Sequence, residues 1–333
     1  MSMSSVKEFM SAGEIKKFSC GTGFGFLDRL FKRVSDADKA ERVERIKEMI
    51  SDTAIGRETL DFLAENGTNV AFEKMKAYGF YAPEKNVVAL NWKASDCDLA
   101  MTLIHEARHA RQDKTMTRKK SMINVSLDMT PETLLKNGLM IEADACAAEC
   151  VFAHEKAEKG DDRFFAAQKK SPYAKIGEEF ERKFAETGDM NKARETAMLK
   201  WYDLPVRDLY ADDYVRYMEL AEKRPDELTF KVSVPVKDMA EMLCADGRGK
   251  CYLSDPSVLN DPDKACLDPV QSKDMQRSIF AFCRAKQRGL EGLGLDRLFT
   301  RYQNDGYTRV LSDMNFESTA PVKAAFLQKA RGR

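Results

Sequence analysis

Apolar positions recur at three- and four-residue steps between Asp36 and Glu65, where Val43, Ile46 and Ile50, then Ile55, Leu60 and Leu63, mark a helical face. Gly56 and Asn66-Gly67 punctuate that pattern. The period then changes. Val70-Ala71-Phe72 and Gly79-Phe80-Tyr81 are short extended pieces, and the turn Pro83-Glu84-Lys85-Asn86 leads into the apolar run Val87 to Leu90. Together they predict a small antiparallel sheet that ends in the Val87–Leu90 strand.

Ser95-Asp96-Cys97-Asp98 follows, a serine with an acidic residue three positions on, which is the start signal of a helix. Leu99, Leu103, Ala107 and Ala110 form its buried stripe. The polar, basic run from Met116 to Met129 contains no aromatic residue and is expected to be an exposed loop. Thr130-Pro131 then caps a second long helix, rich in alanine, that extends to about Lys159 and stops at Gly160. Beyond it, helical patterns over Ala174–Thr187, Met190–Tyr202, Val206–Glu222, Val236–Ala245 and Ser272–Leu290 alternate with Pro and Gly breaks, and Leu243 to Pro269 is turn-rich. The expected class is α+β, in three stretches: a loosely packed leader over 1–35, a core over 36–160, and a mainly helical region over 161–333 ending in a frayed tail.

Composition narrows the function classes. The 333 residues are 43% hydrophobic, enough for a core, and 54 basic residues balance 54 acidic ones. No whole-chain field favours nucleic acid or an anionic membrane. No secretory h-region or bilayer-length apolar run is present, which points to a cytoplasmic protein. Eight cysteines occur without a C-x-x-C and are expected to be reduced and mostly buried. Gly21-Thr22-Gly23-Phe24-Gly25-Phe26 lacks the Lys-Ser/Thr ending of a phosphate loop.

The chemistry concentrates in His105-Glu106-Ala107-Arg108-His109, which holds two of the three histidines in the chain. Histidines four apart on a helix lie about 6 Å apart in rise and roughly 40° apart in rotation, so both rings can reach one metal ion. Glu106 between them can take a proton from a metal-activated water. A third ligand is required, and the second helix offers Glu142, Asp144 and Glu149. Only one of these carboxylates can face the histidines at the right height. Glu142 lies among small residues, Ala143, Ala145, Ala147 and Ala148, which permit close helix approach. His154, about 18 Å along the helix from Glu142, is expected to be a solvated residue near the helix end.

The order strand, turn, strand over Gly79–Asn91, then Leu103-Ile104-His105-Glu106-Ala107-Arg108-His109-Ala110-Arg111-Gln112, then Ile141-Glu142-Ala143-Asp144-Ala145, resembles the zincin-like putative metallopeptidase family of bacteria. The resemblance covers about Glu44 to Lys159. It implies a zincin-like domain, zinc on His105, His109 and Glu142, and Glu106 as general base in peptide hydrolysis. Asp144 and Arg108 are expected to support the site or the oxyanion, with His154, Tyr202 and Tyr210 as further oxyanion candidates. Cys146 occupies the place of the supporting aspartate in the E-x-x-x-D spacing of gluzincins. The expected partner is a protein or peptide substrate, which would add to the Val87–Leu90 strand. The competing expectation is a non-catalytic binding protein that acts through the helical C-terminal half.

Overall fold

The computed structural model describes residues 36–118, 128–301 and 308–313. The expected leader, most of the basic loop and the terminal tail lie outside them. The described chain is mostly helical with two small sheets, an α+β arrangement. It forms two compact units, one of Met1–Asp113 with Val151–Ala167, the other of Lys114–Cys150 with Gln168–Arg333.

In the first unit, α1 (Asp36–Ser51) buries Val43, Ile46 and Ile50, and α2 (Ala54–Glu65) buries Leu63. The break between them falls at Asp52-Thr53, before Gly56. Thr53 caps α2 by accepting the Gly56 N–H at 3.0 Å and donates to the Ile50 carbonyl at 2.7 Å. A Cβ on Gly56 would lie 1.8 Å from that carbonyl, so the glycine is inside a helix because the corner leaves no room for a side chain.

Three strands follow, β1 (Asn69–Glu73), β2 (Gly79–Ala82) and β3 (Val87–Asn91), in the order β1-β3-β2. β3 pairs antiparallel with β2 and parallel with β1, so the sheet is mixed and the expectation of an antiparallel sheet is corrected. The expected terminal strand, β3, is central. Its run Val88-Ala89-Leu90 is fully buried, and the most continuously apolar strand takes the position flanked on both sides. Asn86 makes the β2–β3 turn with a left-handed φ of 50°, and its amide nitrogen donates to the carbonyls of Asn66 and Gly67 at 2.9 and 3.0 Å. One side chain thereby joins two turns.

α3 (Asp96–Arg118) is capped by Ser95, whose hydroxyl accepts the Asp98 N–H at 3.2 Å and donates to the Asp98 carboxylate at 2.6 Å. It extends two residues past Met116 into the run expected to be loop, because Met116 is buried. Leu99, Leu103, Ala107 and Ala110 are buried as the periodicity predicts. Arg42 on α1 holds the start of α3. It donates to the carbonyls of Trp92 and Ala94 and to the Asp96 carboxylate at 2.7 Å.

α4 (Pro131–Glu158) is the second long helix, and two of the three unit divisions fall inside α3 and α4. Its last turns belong to the first unit, where Lys156 pairs with Asp52 at 3.1 Å and Glu155 accepts the Ile55 N–H at 3.1 Å. α5 (Arg163–Gln168), not foreseen, places Phe164 edge-on to Phe152.

In the second unit, α6 (Ala174–Thr187) turns at Gly188, φ +63°, into α7 (Met190–Trp201), capped by Asp189. The helix expected over Val206–Glu222 is two, α8 (Val206–Tyr217) and α9 (Glu219–Lys223). α10 (Val236–Leu243) and α11 (Pro269–Ala285) follow, the latter with an Asp268–Gln271 capping box. β4 (Cys266–Leu267), β5 (Phe299–Arg301) and β6 (Thr308–Val310) form a second small mixed sheet that the sequence patterns did not reveal. Among the described residues the cysteines are mostly buried. No helix among the described residues is long and apolar enough to cross a membrane.

Arg42 yields a test of this frame. Burial alone would raise the Asp96 carboxyl, but the Arg42 and Arg45 guanidiniums outweigh it and hold it below its ordinary range. A lowered folded value means stability that is present above the unfolded pKa and lost as pH falls through the folded one. Arg42→Ala is expected to cost about 1–3 kcal/mol in urea denaturation at neutral pH, and to lose less stability than wild type on acidification.

Candidate metal centre

α3 brings His105 and His109 together in the first unit. Their Nε2 atoms are 2.9 Å apart, with the rings edge-to-face at 85°. Two nitrogens bound tetrahedrally at about 2.0–2.1 Å are about 3.3 Å apart, so the pair is already near the spacing that one zinc ion requires. His109 Nδ1, on the far side of its ring, is 3.0 Å from the Gln112 side-chain oxygen. Both histidines are half-buried, and Gln112 is 2% exposed.

Glu106 lies between them, 8% exposed, and its Oε2 has no hydrogen-bond partner among the described residues. A buried carboxylate oxygen without a partner is costly, so this atom faces a place made for a polar occupant. The wall beside Glu106 is β2. A Cβ on Gly79 would come within 2.6 Å of the Thr102 side chain and 3.4 Å of Glu106 Cγ, so the glycine lets the strand lie directly on α3. Further along, the Tyr81 hydroxyl hydrogen-bonds to Asp113 at 3.2 Å, and that carboxylate with burial pushes the phenol upward. β2 therefore runs along the histidine helix and forms the sheet edge. β3, the expected docking strand, is paired on both sides, and that expectation is corrected.

Both sets of His, Cys and carboxylate groups that could hold a metal ion among the described residues include His105, and one also includes His109. Two imidazoles beside a buried oxygen that has no partner among the described residues fit zinc.

The second unit carries the expected residues Glu142, Asp144, Tyr202 and Tyr210. Glu142 is half-buried on α4 among tyrosines of α8. Its charge, with burial, pushes the Tyr210 hydroxyl well above its ordinary value, and the Tyr210 oxygen is 3.3 Å from that of Tyr173. Burial and the same carboxylate raise Tyr214, whose ring occupies the space a side chain at Gly138 would need. Tyr214 was not foreseen. The signal for it was Gly138, an interior helix glycine one turn before Glu142.

Asp144 is fully buried and bonds to Arg194 at 3.0 Å and to the Tyr252 hydroxyl at 2.8 Å, with the Arg194 guanidinium over the Tyr252 ring. It ties α4 to α7 and to the loop after α10. Arg108 is buried. Tyr202 is buried against Trp201. His154 is also buried, with Nε2 3.6 Å from Glu158, which corrects the expectation of a solvated residue. The helix end it occupies packs inward where Phe152 meets Phe164.

A sequence profile described as the putative metallopeptidase family (DUF6782) matches residues 26–254. The chain belongs to that family. No curated protein and no solved structure matches it. The metallopeptidase family implies a metal and a peptide-bond substrate, and the matched span contains the histidine helix, the strand beside it and all of α4.

The buried Asp144–Arg194 pair is testable by itself. Asp144→Ala leaves a buried guanidinium without its carboxylate and is expected to cost about 3–5 kcal/mol in chemical denaturation. Asp144→Leu combined with Arg194→Met should recover most of that loss.

Proposed function

We propose that the protein is a zinc-dependent peptidase whose metal is held by His105, His109 and Glu142 and whose general base is Glu106. The observation that carries the reading is the buried, unpartnered Glu106 Oε2 beside two imidazole nitrogens 2.9 Å apart, in a metallopeptidase family member. Glu142 is taken as the third donor because it is the carboxylate of the second long helix that lies among small residues, Ala143, Ala145, Ala147 and Ala148.

When bound, a zinc ion supplies Lewis acidity, making a water more acidic and polarising the scissile carbonyl. Glu106 Oε2 accepts the proton of the attacking water and passes it to the leaving amine. Tyr210, one of the expected oxyanion candidates, keeps its hydroxyl protonated because the Glu142 charge and burial push it up.

The substrate strand adds to β2. The Tyr78 carbonyl accepts the Asn91 N–H at 2.7 Å, so the alternation of an antiparallel pair turns the Gly79 N–H and C=O towards the outer edge. An extended peptide on that edge runs alongside Glu106, and main-chain pairing binds it without demanding a particular side chain.

Glu106→Gln is expected to bind close to one equivalent of zinc, as wild type does, while hydrolysis of an unfolded protein such as casein falls by at least about 100-fold. His109→Ala and Glu142→Ala are expected to lose zinc as well as activity. Unchanged hydrolysis in Glu106→Gln with zinc still bound would reject the mechanism. Zinc uptake without hydrolysis in wild type would favour the non-catalytic scaffold.

A further inference from the structure

We infer that Gln112 is a positioning residue that holds His109 in the tautomer with its proton on Nδ1, leaving Nε2 as a bare lone pair directed at the metal place. Its zinc consequence rests on the reading above, whereas the tautomer itself does not. A neutral imidazole carries one N–H, so a partner on one nitrogen decides the chemistry of the other. The Gln112 carbonyl oxygen lies 3.0 Å from Nδ1 and can only accept. With Nδ1 protonated, His109 Nε2 must be the acceptor in its 2.9 Å contact with His105, whose Nε2 then donates. The relay is matched atom by atom, from His105 through His109 to Gln112.

The arrangement is local. Gln112 stands three residues after His109, so the two side chains share a face of α3 and no other element is needed to bring them together. At 2% exposure Gln112 has no bulk water to exchange with, and its amide stays in place. Ligating histidines are ordinarily steadied through their second nitrogen by a carboxylate or carbonyl. A glutamine here performs that orientation with a neutral acceptor, which adds no buried charge beside Glu106 and increases the basicity of the ring less than a carboxylate would.

The test uses the full chain, ¹⁵N-labelled, in wild type, Gln112→Met and Gln112→Glu. Only three histidines contribute to long-range ¹H–¹⁵N spectra of the rings. In metal-free wild type at a pH where the rings are neutral, His109 is expected to show a protonated Nδ1 and an unprotonated Nε2. Gln112→Met is expected to lose that preference and to bind zinc about 10–100-fold more weakly in competition with a chelating dye. Gln112→Glu restores the Nδ1 proton and binds zinc at least as tightly as wild type. Helix content by circular dichroism verifies that each variant is folded, and the wild-type and Gln112→Glu spectra decide the matter if Gln112→Met is not. A wild-type His109 protonated on Nε2, an unchanged spectrum in Gln112→Met, or undiminished zinc affinity in that variant would overturn the inference. If wild type takes up no zinc, the metal-centre reading fails, and the tautomer spectra still decide this one.

Discussion

A buried carboxylate oxygen that finds no hydrogen-bond partner among the described residues is the constraint around which the first unit is arranged. Leaving such an oxygen unsatisfied costs on the order of 1–3 kcal/mol, and the surrounding packing must hold it there against rotation towards solvent. The packing is firm on each side of Glu106. Leu103 and Ala107, its near neighbours on α3, are buried in the core, and β2 closes the outer side through Gly79. β2 in turn is held by β3, whose run Val88–Leu90 is buried, and by the Tyr81–Asp113 bond to the same helix. Arg42 secures the corner from which the helix departs. These contacts hold the acid in place.

What was legible in the sequence was what a helix determines by itself. The spacing of His105, Glu106 and His109, the Ser95 cap and the Leu99–Ala110 stripe are all local, and each survives in the structure. Strand order was not legible, because it depends on a competition among β1, β2 and β3 for the central position, and no turn signal reports the outcome. Gly56 misled for a related reason. A glycine inside a helix reads as a break until the Ile50 carbonyl that excludes a side chain is known. Gln112 was visible as a helix residue one turn from the histidines, but its bond to the Nδ1 of His109 depends on rotamers that periodicity does not encode.

The short segment Glu142-Ala143-Asp144 divides its labour by helical rotation. Residues two apart project to opposite sides of a helix, so neighbouring carboxylates meet different surroundings. Asp144 is consumed by Arg194 and Tyr252, a buried pair and a hydroxyl that leave it a structural anchor. Glu142 faces α8, where its charge is felt by Tyr210, Tyr214 and Asp213. The alanines around them allow that close approach, and they account for the composition of α4 better than helix propensity does.

His105, His109 and Gln112 occupy eight consecutive residues of one helix, which has a consequence for the order of events during folding. Their mutual geometry requires no loop closure and no contact distant in sequence, so it is set as soon as that stretch coils, on the timescale of helix formation. On the proposed reading, a two-nitrogen chelate with its outer partner would therefore be available before the sheet assembles. A metal captured at that stage would favour the coiled form of the segment and shift the chain towards the native state by mass action.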